Sequence, residues 1–222
     1  SHLALIGTGF EATGHLRLAA RRWPVERVSV FSRSPERRAA FAQRMTRELD
    51  IPVTPAPTMQ KALAGAPVAL LATKSREPVV DGSAFTAGAI VLSIGSTRPD
   101  LRELDRATLR RAGTLLVDEP GQVLAESGDI IDAIEHQVLS PERIAALAHA
   151  HGDTTPLRQD PDRDLLVFKS VGTALQDLSL ARALLAVARS RGTGRDLGEL
   201  TSLKPFAAPH SAENATAGQV IA

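Results

Sequence analysis

The sequence predicts an α/β protein with a doubly wound parallel sheet, helices lying on both faces. Three observations predict it. The runs at 68–72, 89–95 and 114–117 are continuously apolar, which marks strands covered on both sides. Helix-like stretches alternate with the strands, and that order calls for parallel pairing through crossovers. The chain also opens on Leu3-Ala4-Leu5-Ile6-Gly7-Thr8-Gly9-Phe10-Glu11-Ala12, a short strand, a glycine turn and the start of a helix.

The 222 residues allow one sizeable domain with attachments. Hydrophobic residues make up 43% and charged residues 23%, a globular composition. Lys plus Arg (26) nearly balances Asp plus Glu (25), so no strong field recruits nucleic acid or an anionic membrane. With no cysteine, disulfides, thiol catalysis and thiolate zinc sites are excluded. No apolar run approaches the roughly 20 residues that span a bilayer. The N-terminus lacks the pattern of a signal peptide, so the expected location is cytoplasmic. A chain that starts on a core strand also suggests an absent upstream segment.

Taken in order, residues 10–23 carry apolar positions on one side and stop at Pro24, as a half-buried helix does. A strand follows at 27–31. Ser34 and Pro35 then read as N-cap and first residue of a helix reaching about residue 49. The prolines of 52–57 suit an edge rather than a central strand, and Thr58 opens a brief helix through Leu63. Beyond the second apolar run lies a helix at 103–112. Residues 125–147 read as mostly helical, 165–172 as a late strand, and 173–191 as a helix ending at the Gly192 cap. The expected organisation is a dinucleotide-binding domain at 1–172, a C-terminal helix at 173–194 returning toward a substrate and dimerisation region that is largely missing, and a loose or partner-packed tail at 195–222.

The chemistry follows from that layout. In a Rossmann sheet Gly7 permits the sharp turn, Gly9 admits a pyrophosphate, and Ala12 allows close packing of the helix. The amides from Thr8 to Glu11 and the helix dipole face the phosphates. An acid at the end of the second strand selects NAD, whereas an arginine accepts the 2′-phosphate of NADP. This strand ends Ser32-Arg33-Ser34, so NADP(H) is preferred and NAD(H) is the alternative. Ligands lie beyond the carboxyl ends of such strands. This adds Ala72 and Thr73, then Ser93, Ile94 and Gly95, then Ser170, Val171 and Gly172 to the cofactor cleft. The six histidines form no metal set, since His149 and His151 are two apart and diverge on a helix. No hydrolase or nucleotide-hydrolysing motif occurs. Ser127-Gly128-Asp129 reads as helix capping and Asp177 as a surface or structural charge.

Five ordered segments carry a family resemblance: Gly7-Thr8-Gly9-x-x-Ala12; Ala72-Thr73-x-Ser75-x-x-Pro78-Val79; Ile94-Gly95-Ser96-x-Arg98-Pro99-Asp100-x-Arg102-Glu103-Leu104; Glu126-Ser127-Gly128-Asp129; and Phe168-Lys169-Ser170-Val171-Gly172-x-Ala174-x-x-Asp177. Together they resemble the ornithine cyclodeaminase/mu-crystallin family from the first strand to about Gly194. The resemblance implies a nicotinamide-dependent enzyme acting at the α-carbon of a small imino or amino acid. Where the cyclodeaminases place an aspartate after the strand-end glycine, this chain has Ser96. That points to the ketimine reductase branch, which prefers NADPH. The implied reaction is hydride transfer to an imine carbon, with Ser96 and Lys169 beside the substrate. A cyclodeaminase, an amino-acid dehydrogenase or a non-catalytic NADP(H)-binding homologue are the alternatives. Family members carry an N-terminal segment that supplies substrate-binding residues and much of a homodimer interface. This sequence is expected to lack it.

Overall fold

The computed structural model describes residues 1–149 and 163–197. The expectation for most of the tail and for His151 falls outside that range. The chain divides into a unit Ser1–Ala174 and a unit Leu175–Ala222. Among the described residues no helix is long and apolar enough to cross a membrane.

The first unit is built on a parallel sheet. Its strands are β1 (His2–Ile6), β2 (Arg27–Phe31), β3 (Val53–Pro55), β4 (Val68–Leu71), β5 (Ile90–Ser93), β6 (Ala112–Val117), β7 (Ile144–Ala146) and β8 (Leu165–Lys169). They lie in the order β3-β2-β1-β4-β5-β8-β6-β7. The chain therefore reverses its direction of travel across the sheet between β1 and β4, and a crevice opens there at the carboxyl ends. The proline-bearing β3 takes the edge, as its missing N–H groups require.

Alternation along the strands sorts the apolar side chains into two cores. Leu3, Leu5, Val28, Val30 and Leu70 pack with α1 (Phe10–Arg22) and α2 (Pro35–Leu49), through Leu16, Phe41 and Met45. Ala4, Ile6, Ala69, Leu71 and Val91 belong to the other core. There they join α3 (Met59–Leu63), α4 (Arg106–Arg111), α5 (Pro120–Glu126) and α6 (Gly128–Glu135). Neighbours in sequence thus face opposite cores, as the two-residue period of a strand dictates. Helices on both faces make the doubly wound sheet that the apolar runs foretold.

Local signals act as expected at several helix ends. Ser34 caps α2 by accepting from the Arg37 N–H, with Pro35 in the first turn. Thr58 caps α3 through the Lys61 N–H. Three expectations need correction. The stretch at 125–147 is helical in α5, α6 and 3-10 turns, but it also holds an unforeseen strand, since α6 stops at Glu135 and the chain enters β7 at Ile144. The helix expected at 103–112 begins only at Arg106, after the Asp105 cap, and Ala112 already pairs with Leu165. The late strand ends at Lys169 rather than residue 172, because the following amides turn toward Asp118. Helix α7 (Ala174–Ser190), which from Leu175 onward belongs to the second unit, runs 17 residues with none of them buried.

One ion pair fastens the amino end of β8. Arg111 donates from Nε to Asp164 Oδ1 (2.9 Å) and from Nη2 to Oδ2 (2.7 Å), and from Nη1 to the carbonyls of Gly82 and Phe85. Asp164 also accepts from the Gly88 N–H. Hydrogen bonding from Arg111, above all, holds the Asp164 carboxyl below the usual carboxylate range. A depressed folded-state value stabilises the fold above the unfolded value, near pH 4, and the gain disappears as pH falls through the folded value. Asp164→Asn should therefore lower stability at neutral pH by about 1–3 kcal/mol. It should also flatten the acid limb of the stability profile, as urea unfolding at stepped pH will show.

Candidate functional site

The carboxyl ends of five neighbouring strands meet the crevice in one unbroken line of backbone hydrogen bonds. Gly7 N–H donates to Phe31 O, Ala72 N–H to Ile6 O, Ile94 N–H to Leu71 O, and Ser170 N–H to Ser93 O. All the sequence-predicted strand ends are thereby brought to one edge.

The glycine turn occupies the middle of that edge. Gly7 has φ 122°, and a Cβ there would fall on the Ala72 carbonyl oxygen, so the turn is open only to glycine. Gly9 is the N-cap of α1 and offers no side chain to its amides. The intrahelical ladder starts with Thr13 N–H to Gly9 O (3.1 Å). The first-turn amides are left for an outside acceptor. A Cβ on Gly9 would meet nothing within 4 Å, so space lies before the turn. Thr8 is half-buried, Phe10 and Glu11 are exposed, and Ala12 is buried against the sheet. These features fit a pyrophosphate.

At the end of β2, Arg33 is exposed, and its guanidinium has no hydrogen-bond or ion-pair partner among the described residues. Its neighbours are held firmly. Arg38 donates to Ser32 O (2.8 Å) and stacks its guanidinium 5.1 Å from the Phe31 ring centroid. Ser32 Oγ donates to Ser34 O (3.3 Å). Ser34 Oγ accepts from Arg37 N–H and donates to Glu36 (2.8 Å). The Ser34 hydroxyl is thus committed to its helix, and Arg33 stays exposed beside it.

The ends of β4, β5 and β8 are tied from below by groups that sequence reasoning missed. Glu103, wholly buried, presents its carboxylate to four donors. Oε1 accepts from Thr73 N–H (2.5 Å) and Thr73 Oγ1 (2.8 Å); Oε2 accepts from Ser93 Oγ (2.8 Å) and Gly95 N–H (2.8 Å). A Cβ on Gly95 would strike Thr73 backbone and this carboxylate, which is why glycine stands there. Asp129, read from sequence as a helix cap, instead accepts from the N–H groups of Glu103 (2.6 Å) and Leu104 (3.0 Å). Asp118, at the end of β6, gathers Ser170 Oγ (2.8 Å), Val171 N–H (3.1 Å) and Gly172 N–H (2.7 Å) on one oxygen. Gly172 has φ 83°, so the turn leaving β8 also needs a residue without Cβ. A sequence signal existed for Glu103: a lone acid between Leu101 and Leu104, eight residues after a strand-end glycine.

The two residues expected beside the substrate both lie wholly beneath the surface. Ser96 Oγ donates to Leu101 O (2.6 Å). Lys169 Nζ donates to Ser93 Oγ (3.1 Å) and pairs with Asp129 Oδ2 (3.3 Å), with both side chains fully buried. In this arrangement both hold backbone and neighbouring polar groups in place. Among the described residues no cluster of metal-ligating side chains occurs.

The strand order and the glycine turn define an α/β domain of the Rossmann class. The chain belongs to the ornithine cyclodeaminase/mu-crystallin family, which matches residues 1–191. It is 29% identical to the ketimine reductase mu-crystallin of Mus musculus over 181 residues, 81% of this chain and 53% of that protein. The structure of Thermococcus litoralis Δ1-pyrroline-2-carboxylate reductase, in complex with NADH and L-proline, superposes with a TM-score of 0.81. It is 31% identical and covers 89% of this chain, which spans 61% of that one. A probable ornithine cyclodeaminase from Bordetella pertussis gives 0.76 at 33% identity, with 88% and 62% covered. The chain thus spans little more than half the length of these relatives.

Two glycines separate stability from site access. Gly95→Ala should cost about 1–3 kcal/mol, because backbone must move to admit the methyl group. Gly9→Ala should stay within about 0.5 kcal/mol of the parent. Denaturant unfolding of the two variants checks both.

Proposed function

We propose that this chain forms the cofactor half of an NADPH-dependent imino-acid reductase, which makes an α-amino acid by hydride transfer to the imine carbon. The observation that carries the reading is the glycine turn at the reversal point of the sheet. It has uncapped helix amides and open space before Gly9. Family membership and relatives named as ketimine and pyrroline-carboxylate reductases support the substrate class.

Bound NADPH supplies the hydride. The work of the chain is to bind and orient. The first-turn amides of α1 take the pyrophosphate, with Thr8 beside them. Arg33, exposed and without a partner among the described residues, takes the 2′-phosphate, with Ser32 held beside it by Arg38. Thr73, Ile94 and Gly95 wall the nicotinamide half. Ser170, Val171 and Gly172 close its far side, fixed by Asp118. Ser96 and Lys169 support this wall from beneath. The small imino or amino acid and a second copy of the chain, forming a homodimer, belong to the same proposal.

Loss of NADPH absorbance on addition of a cyclic ketimine carboxylate tests the reaction. Conversion of ornithine to proline with release of ammonia would overturn it. For the cofactor, Arg33→Ser should raise the NADPH dissociation constant roughly tenfold, the worth of about one charge-assisted contact, and leave NADH nearly unchanged. Equal weakening of both would remove Arg33 from the 2′-phosphate site. Fluorescence titration of the bound dihydronicotinamide measures each constant.

A further inference from the structure

Beneath the strand ends the buried polar groups close into a ring. Glu103 Oε2 accepts from Ser93 Oγ, Ser93 Oγ accepts from Lys169 Nζ, Lys169 Nζ pairs with Asp129 Oδ2, and Asp129 Oδ1 accepts from the Glu103 N–H. The donors fix the protonation of each member. Ser93 has one hydroxyl hydrogen, and Lys169 already donates to its oxygen, so that hydrogen goes to Glu103. Both Glu103 oxygens face donors from Thr73, Ser93 and Gly95, which leaves no acceptor toward which a carboxyl proton could point. Glu103 is therefore a carboxylate. Asp129 accepts two amides on one oxygen, and its other oxygen, which accepts no hydrogen bond, lies 3.3 Å from Lys169 Nζ as the carboxylate of an ion pair.

Two carboxylates and one ammonium leave a net charge of −1 within side chains that are 0–2% exposed. Glu103 has no cation within ion-pair distance among the described residues. Such an uncompensated charge is costly in a fold, and the four donors on Glu103 offset part of that cost. Its position supplies the reason to keep it. The ring is bonded directly to Thr73 and Gly95, at the ends of the two strands that follow the reversal point, while Gly7 packs on the adjoining Ala72 carbonyl. This is the half of the cleft opposite the end of β2 that carries Arg33.

We propose that the Glu103–Ser93–Lys169–Asp129 ring tunes the nicotinamide electrostatically, favouring its oxidised form and so making bound NADPH a stronger hydride donor. The inference rests on the cofactor reading above. The oxidised ring bears a positive charge and the reduced ring none, so a fixed negative charge beneath the cleft stabilises only the oxidised ring. Water is excluded around these groups, and the charge is weakly screened. Glu103 acts here through the field and through the strand ends it positions. It does not touch the reacting atoms.

The readout is the ratio of the dissociation constants of NADP+ and NADPH, which a purely structural defect would weaken together. Glu103→Gln keeps the reach and removes the charge. It should raise the ratio roughly three- to tenfold, the scale of one elementary charge acting across about 10 Å of protein. Glu103→Asp, which keeps the charge, should leave the ratio near the parent value even if both forms bind more weakly. If Glu103→Gln does not fold, Asp129→Asn removes the second carboxylate while its amide oxygen still accepts from the Glu103 and Leu104 N–H groups. The same direction of change is then expected. Equal weakening of both cofactor forms in the charge-removing variants would overturn the electrostatic role and leave the cofactor site standing. Failure of the parent chain to bind either form would overturn the cofactor reading, and this inference with it.

Discussion

Four hydrogen-bond donors converge on the Glu103 carboxylate, and the shape of the candidate cleft depends on that convergence. Parallel strands end in amides and carbonyls that lack ladder partners, and the loops beyond them would otherwise choose their own conformations. One side chain, on the segment that follows β5, takes those amides and fixes both loops at once. Gly95 follows from it, because the carboxylate fills the volume that any Cβ would need. Asp129 follows as well, since it holds the Glu103 backbone and so sets where the carboxylate arrives. Asp118 repeats the device at the end of β8.

Much of the architecture could be read from the chain because its signals are local. A glycine turn between an apolar strand and a helix, Ser34 before Pro35, and continuous apolar runs each act over fewer than a dozen residues. The exposed position of Arg33 follows for the same reason, as the last charged group before a helix start. The supports of the site were not legible, because each couples residues far apart. Glu103 meets Thr73 across 30 positions, and Lys169 meets Ser93 across 76. β7 escaped because three residues are too few to show a period, and Ile144-Ala145-Ala146 suits a helix equally well.

Lys169 is held by partners that its sequence context does not name. A lysine at the end of an apolar strand suggests a charge delivered to a substrate. Here the strand delivers it to Asp129 and Ser93 instead, with no part exposed. The odd residue in the run marks a buried ion pair rather than a surface charge. Ser96 is similar: its hydroxyl holds Leu101 O and so shapes the loop that brings Glu103 back.

The place of β8 has a consequence for how the chain folds. β5 and β6 do not pair with each other; β8 lies between them and bonds to both. Until residues 165–169 are present, the sheet is two separate pieces, each with an exposed inner edge. Closing it requires contacts over long sequence separations, which slows folding and makes completion depend on residues 165–169. The line of strand ends at the candidate cleft runs from β2 to β8, so its last member joins only when the sheet becomes whole.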